Sequence, residues 1–181
     1  MGAMRALIRI IDGINTVVGH VLAWAALVLV LNVFAVVVLR YVFNMGEVFM
    51  TETYVWTHAY IFMLGAGYTL LHEGHVRIDL IYAGASTRYK AVINILGTLF
   101  LAFPVLWLFY NRGADFFWRA LVSNESSPEA GGLPAIFVLK AAIPIMAVLF
   151  ALQFVSLMLK SVLVLAGQAP EGPQETEGTL V

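Results

Sequence analysis

Apolar residues run along this chain in four long blocks separated by short charged stretches, and that pattern predicts helices first. Crossing about 30 Å of hydrocarbon at 1.5 Å per residue takes roughly 20 apolar residues. Residues 21–39 meet that length with Asn32 as their one strongly polar side chain, stop at Arg40 and are led in by residues 16–20. Residues 53–71 follow Glu52 and hold one ionisable group, His58. Residues 91–110 begin after Lys90, end before Arg112 and contain Pro104. Residues 141–159 lie between Lys140 and Lys160, carry Gln153 and are extended outward by residues 133–139. The expected spans are therefore about 16–39, 53–71, 91–110 and 135–160, in a single four-helix membrane domain over residues 1–166.

The connections add detail. Residues 40–52 are unusually apolar for a loop and are expected to stay at the membrane interface. In residues 72–90, Ile78, Ile81, Tyr82, Ala85 and Tyr89 fall at helical spacing, with Arg77, Asp79, Arg88 and Lys90 off that stripe. This predicts a short amphipathic helix lying along the headgroups. The third connection breaks at Ser126-Ser127-Pro128 and again at Gly131-Gly132-Leu133-Pro134, where Pro134 occupies an expected first helical position. The fold class is thus an all-α integral membrane protein with four transmembrane helices plus a short interfacial amphipathic helix. Residues 167–181, rich in Gly, Pro, Glu and Gln, read as a disordered cytoplasmic tail. Arg5 and Arg9 ahead of an apolar run, with Ala23-Trp24-Ala25 beyond, imitate a secretory signal. The run continues to Leu39, too long for a signal core, so a retained anchor is expected.

Composition supports the membrane class. Hydrophobic residues make up 61% of the 181 and charged residues 12%, against about a quarter charged in soluble domains; the mean hydropathy is +0.90. A net charge of −1 with no basic stripe argues against a nucleic-acid partner. The absence of cysteine excludes disulfides, thiolate catalysis and Cys-based metal sites. There is no phosphate-binding loop, no serine nucleophile with a base in register, and no inverted repeat with broken helices of the kind that builds a transport site. No enzyme activity and no cofactor are expected. With the N-terminus inside, six Lys and Arg (Arg5, Arg9, Arg77, Arg88, Lys90, Lys160) face four outside (Arg40, Arg112, Arg119, Lys140). The positive-inside rule then places both termini in the cytoplasm.

Several polar residues stand out. Arg40 closes the first span, Glu52 opens the second and Lys140 opens the last uncharged stretch, so all three are expected at one depth. A charge partly withdrawn from water is costly unless paired, and Glu52 is expected to pair with Lys140 or Arg40; the alternative is that each snorkels separately to water. His20 and His72 lie equally far inward of Arg40 and Glu52, the geometry that a bis-histidine haem in a four-helix bundle requires and that plain boundary residues also satisfy. His72 and His75, with Glu73 and Asp79 nearby, lack the i, i+4 spacing of a zinc-protease helix. For His58 the sequence does not choose between a hydrogen bond to a neighbouring helix and one to another subunit. Gly65-Ala66-Gly67 offers a small surface for close helix approach.

Taken in order, a set of motifs resembles one family. It comprises Arg40-Tyr41-Val42-Phe43-Asn44, Glu52, Gly65, His75-Val76-Arg77-Ile78-Asp79, Glu125-Ser126, Gly132-Leu133-Pro134, Lys140 and Ile143-Pro144. The set is similar to the small membrane subunit (DctQ type) of the tripartite ATP-independent periplasmic (TRAP) transporters, over roughly residues 5 to 165. One departure is that Phe49-Met50-Thr51-Glu52 keeps a single acid where the family often has an aromatic and two adjacent acids. The resemblance implies a bacterial inner-membrane subunit without a substrate site of its own. Such a subunit packs against a large membrane subunit as scaffold for sodium-coupled uptake of an organic acid that a periplasmic solute receptor delivers. It also implies interface or structural roles for Arg40, Asn44, Glu52, His75, Arg77, Asp79, Glu125 and Lys140, with outer loops that touch the receptor. Two other classes compete: a haem-binding membrane electron carrier, and a self-assembling small-solute exporter with Glu52 as coupling acid.

Overall fold

The apolar blocks fold as helices, and most of them outgrow the spans expected from hydropathy. In the computed structural model, which describes residues 2–75 and 84–168, the elements are α1 (Gly2–Val42), α2 (Val48–Leu71), α3 (Thr87–Val122) and α4 (Phe137–Leu165). No strand occurs among the described residues. Three of the four, α1, α3 and α4, are long and apolar enough to cross a bilayer. The 24-residue α2 has the length, about 36 Å at the α-helical rise. Its Tyr54, Trp56, Thr57, His58, Tyr60 and Tyr68 interrupt its apolar residues, so it lacks the long continuous apolar stretch of the other three.

Local sequence explains where the helices start and stop. The expected first span opens near residue 16, yet α1 begins at Gly2, because Ile8, Ile11 and Asn15 recur at i, i+3 and i+7 and give its first turns a face to bury. Asn44, with φ 53°, turns the chain after α1, and the Met45 amide donates to the Leu39 carbonyl at 2.9 Å; Asn tolerates this left-handed region better than most residues. α3 starts at Thr87 because the Ser86 hydroxyl accepts from the Tyr89 amide as an N-cap, just after Gly84 at φ 79°. Residues 87–89, assigned above to the interfacial helix, therefore open the third long helix instead. Residues 76–83, with Arg77, Asp79 and the first half of that expected helix, lie outside the described residues, as does the tail from 169 onward.

Two prolines are handled differently. Pro104 follows a wide π-helical turn over Thr98–Ala102, in which the Phe103 amide reaches back to the Thr98 carbonyl. Proline has no amide to give its own helix, and a wide turn beside it absorbs the mismatch. Pro134 is not the first residue of α4. Ala135 adopts φ 63°, the Ile136 amide is drawn to the Glu125 carbonyl at 2.9 Å, and the helix opens only at Phe137.

The core runs along α4. This helix packs against α1, α2 and α3, α1 also packs against α2, and α3 rests chiefly on α4. Small residues on α4, among them Ala142, Ala147, Ser156 and Ser161, are buried and let its neighbours come close. Gly67 of α2 marks another close approach: a Cβ there would overlap Asn15 Oδ1 of α1 and lie 3.3 Å from the Leu149 carbonyl oxygen of α4. The expected small surface at Gly65-Ala66-Gly67 thus centres on Gly67, where three helices meet. Large apolar side chains cover the outward faces, for example Trp24, Val28 and Leu31 of α1 and Phe100, Leu101 and Trp107 of α3.

Candidate functional site

Polar chemistry gathers at the two ends of the helix bundle. At the end that holds the α1–α2 and α3–α4 connections, Glu52 on the first turns of α2 reaches the 123–136 connection. Its Oε1 accepts from the Ser127 hydroxyl, and its Oε2 accepts from the Leu133 amide at 2.5 Å. The connection is closed on itself around this carboxylate: the Ser127 amide donates to the Leu133 carbonyl at 3.1 Å and the Glu129 amide to the Ser127 hydroxyl at 3.2 Å. Gly132 is pressed so near that a Cβ would lie 2.8 Å from Glu52 Oε1, leaving room only for glycine. A carboxylate that accepts from an amide and a hydroxyl forms charge-assisted bonds, stronger than neutral ones.

The expected pairing of Glu52 with Lys140 or Arg40 is therefore corrected. Lys140 Nζ lies 2.6 Å from Glu125 Oε2 and 3.9 Å from the Phe116 ring centre. The Ile136 amide already ties Glu125 to the start of α4 through its carbonyl, so Lys140, one turn into that helix, meets Glu125 first. Arg40 sits exposed in the last turn of α1 and makes no ion pair among the described residues. The Glu125 side chain is 44% exposed, and ion pairs open to water contribute at most about 1 kcal/mol. Lys140→Gln is thus expected to lower stability by less than about 1 kcal/mol, much less than loss of Glu52, as thermal unfolding in detergent would measure.

At the opposite end, where α1 begins and α4 finishes, a second network joins those two helices. Asp12 Oδ2 lies 2.7 Å from Lys160 Nζ, while Asp12 Oδ1 accepts from the Ser156 hydroxyl at 2.6 Å and from Gln153 Nε2 at 3.0 Å. Asn15 Nδ2 donates to Gln153 Oε1 at 2.9 Å, and Asn15, Gln153 and Ser156 are buried. Beyond it Arg5 donates to Gln168 at 3.1 Å. Hydropathy had marked Gln153 and Lys160 only as a polar residue in a span and a flanking charge. The signal that finds the network is periodic: Gln153, Ser156 and Lys160 at i, i+3 and i+7 put three polar groups on one stripe of an apolar helix, opposite Asp12 and Asn15 at i, i+3.

The histidines divide. His20 and His72 lie on adjacent helices, and each Nδ1 is spent on a carbonyl of its own helix, Thr16 at 2.9 Å and Tyr68 at 3.0 Å. His75 folds back beneath the end of α2, with Nε2 3.2 Å from the Ala66 carbonyl and its ring 5.4 Å from that of Phe150 on α4. His58 is exposed and makes no hydrogen bond among the described residues. No group of three or more His, Asp or Glu side chains that could hold a metal ion occurs among the described residues.

The structure thus brings Glu52 and the Glu125–Lys140 pair to one connection, leaves Arg40 apart, and gives Asn44 and His75 turn-closing roles. Residues 29–163 match the family model of the tripartite ATP-independent periplasmic transporters, DctQ component. The chain belongs to the DctQ family. It is accordingly a component of a TRAP transporter, a membrane protein that works with other subunits. The match spans the Glu52 clasp whole, whereas Asp12 and Asn15, the α1 half of the second network, precede the matched residues. No match to this DctQ component was found among curated proteins or among solved structures.

Proposed function

We propose that this DctQ component is the small permease subunit that widens the stationary part of a TRAP transporter in the bacterial inner membrane. In this reading all four helices cross the bilayer, both termini are cytoplasmic, and the Glu52 end faces the periplasm. A large membrane subunit binds against it and carries an organic acid inward with sodium, after a periplasmic receptor delivers the solute to the outer loops. Arg40, Asn44, Glu52, His75, Arg77, Asp79, Glu125 and Lys140 are structural or interface residues in this scheme.

The family match over residues 29–163 carries the proposal. The geometry agrees with it in a specific way. The carboxylates of Glu52 and Asp12 are each satisfied by contacts that tie one part of the chain to another, so they serve rigidity. A stator requires this, since a domain can slide only against something that does not yield. The test is a mild-detergent pull-down of the tagged full chain from its native membrane. One large polytopic membrane protein in stoichiometric amount is the expected result. Recovery of the chain alone as a defined oligomer would overturn the proposal.

A further inference from the structure

Among the described residues, His58 is an exposed polar side chain of α2 that makes no hydrogen bond. It lies six residues beyond Glu52 on α2, about 9 Å deeper at the α-helical rise. A hydrocarbon core of about 30 Å would extend from the level of Glu52 to that of His72 along this helix. His58 therefore lies inside it, too deep for a short imidazole side chain to reach water. It is flanked at i−3 and i+4 by Val55, 48% exposed, and Phe62, 77% exposed, and the three form one outward strip. The other sides of α2 are taken by α1 and α4.

The remaining outward faces differ. Every exposed side chain within residues 21–39 of α1, 92–110 of α3 and 138–148 of α4 is apolar or aromatic, as suits contact with lipid. A polar side chain turned toward hydrocarbon without a partner is costly, and intramembrane histidines face protein or a water-filled cavity.

We infer that the strip of Val55, His58 and Phe62 is a contact face for a transmembrane helix of the large subunit, and that His58 hydrogen-bonds a polar side chain of that helix. The inference rests on the subunit reading above, since membership of a multi-component transporter family supplies the partner. The partner helix presents one hydrogen-bonding side chain among apolar ones, seated between Val55 and Phe62. A second copy of this chain is the competing occupant.

The test uses the full chain in its native membrane, with a photoreactive benzophenone amino acid placed singly at position 55, 62, 28 or 101. Crosslinking to one large polytopic protein from 55 and 62, and not from 28 and 101, is the expected result. Capture of that protein from 28 or 101 alone would overturn this face and leave the subunit reading standing. Crosslinks from 55 and 62 to a second copy would also overturn it. Failure to recover any large membrane protein, by crosslinking or by pull-down, would overturn the subunit reading itself and this inference with it. In parallel, His58→Leu is expected to lower co-purification of the large protein about fivefold, the weight of one interhelical hydrogen bond in a membrane. His58→Asn, which keeps a donor and an acceptor, should lower it less. Equal recovery with His58→Leu and the unaltered chain would overturn the hydrogen bond.

Discussion

Replacing Asp12 by leucine is expected to lower the stability of the bundle by about 2–3 kcal/mol, less than the full penalty for breaking a buried pair because water still reaches part of this one. The substitution removes the acceptor for the Ser156 hydroxyl and Gln153 Nε2 together with the counter-charge of Lys160. Three groups on α4 then lose a partner at once, and the side chains of Asp12 and Lys160 are only 22% and 18% exposed. Lys160→Leu should be milder, since Asp12 keeps two donors. The double variant Asp12→Leu with Lys160→Leu should be more stable than Asp12→Leu alone, because it no longer strands an ammonium. Thermal unfolding of the four proteins in detergent checks this. Strict additivity of the two single changes would mean that no such pair exists.

Glu52→Ala is the second large effect, at about 2–4 kcal/mol for two charge-assisted hydrogen bonds. Its signature is local. Without the carboxylate, the Leu133 amide and the Ser127 hydroxyl lose their shared acceptor, and the 123–136 connection loses its tie to α2. The connection should then be cut by added protease at least several times faster than in the unaltered protein. Glu52→Gln should fall between the two. Its amide carbonyl can still accept from Leu133, and its NH2 can donate to the Ser127 hydroxyl, which can reverse its role. A cleavage rate in Glu52→Ala equal to that of the unaltered chain would contradict the clasp.

The sequence made the helices legible because hydropathy reports burial in lipid and in protein alike. Four blocks of apolar residues near bilayer length leave few other folds, and all four became helices. Hydropathy alone misplaced their ends. Ser86, Gly84 and Ala135 set boundaries through single hydrogen bonds and left-handed backbone, which carry no hydrophobic signal. The site was legible in its residues and not in their pairing. Glu52, Glu125 and Lys140 were all marked, but equal depth does not say which cation meets which anion. The loop between positions 125 and 140 decided that by folding Glu125 back against α4. Asp12 escaped notice because it stands outside the apolar block, in turns whose helical continuation shows only in the spacing of Ile8, Ile11 and Asn15.

The position of α4 at the centre of the packing bears on how the protein is made. It is the last of the four helices in chain order, yet α1, α2 and α3 all lean on it. During synthesis, α1 and α2 can meet as a pair as soon as both have left the ribosome. α3, whose chief neighbour is α4, has little to settle against until that final helix has been made. Nor can Glu52, made early, close on a connection that has yet to be translated. The packing thus makes assembly depend on its last helix: α1 and α2 can pair beforehand, and the arrival of α4 gathers the rest and closes both ends of the bundle.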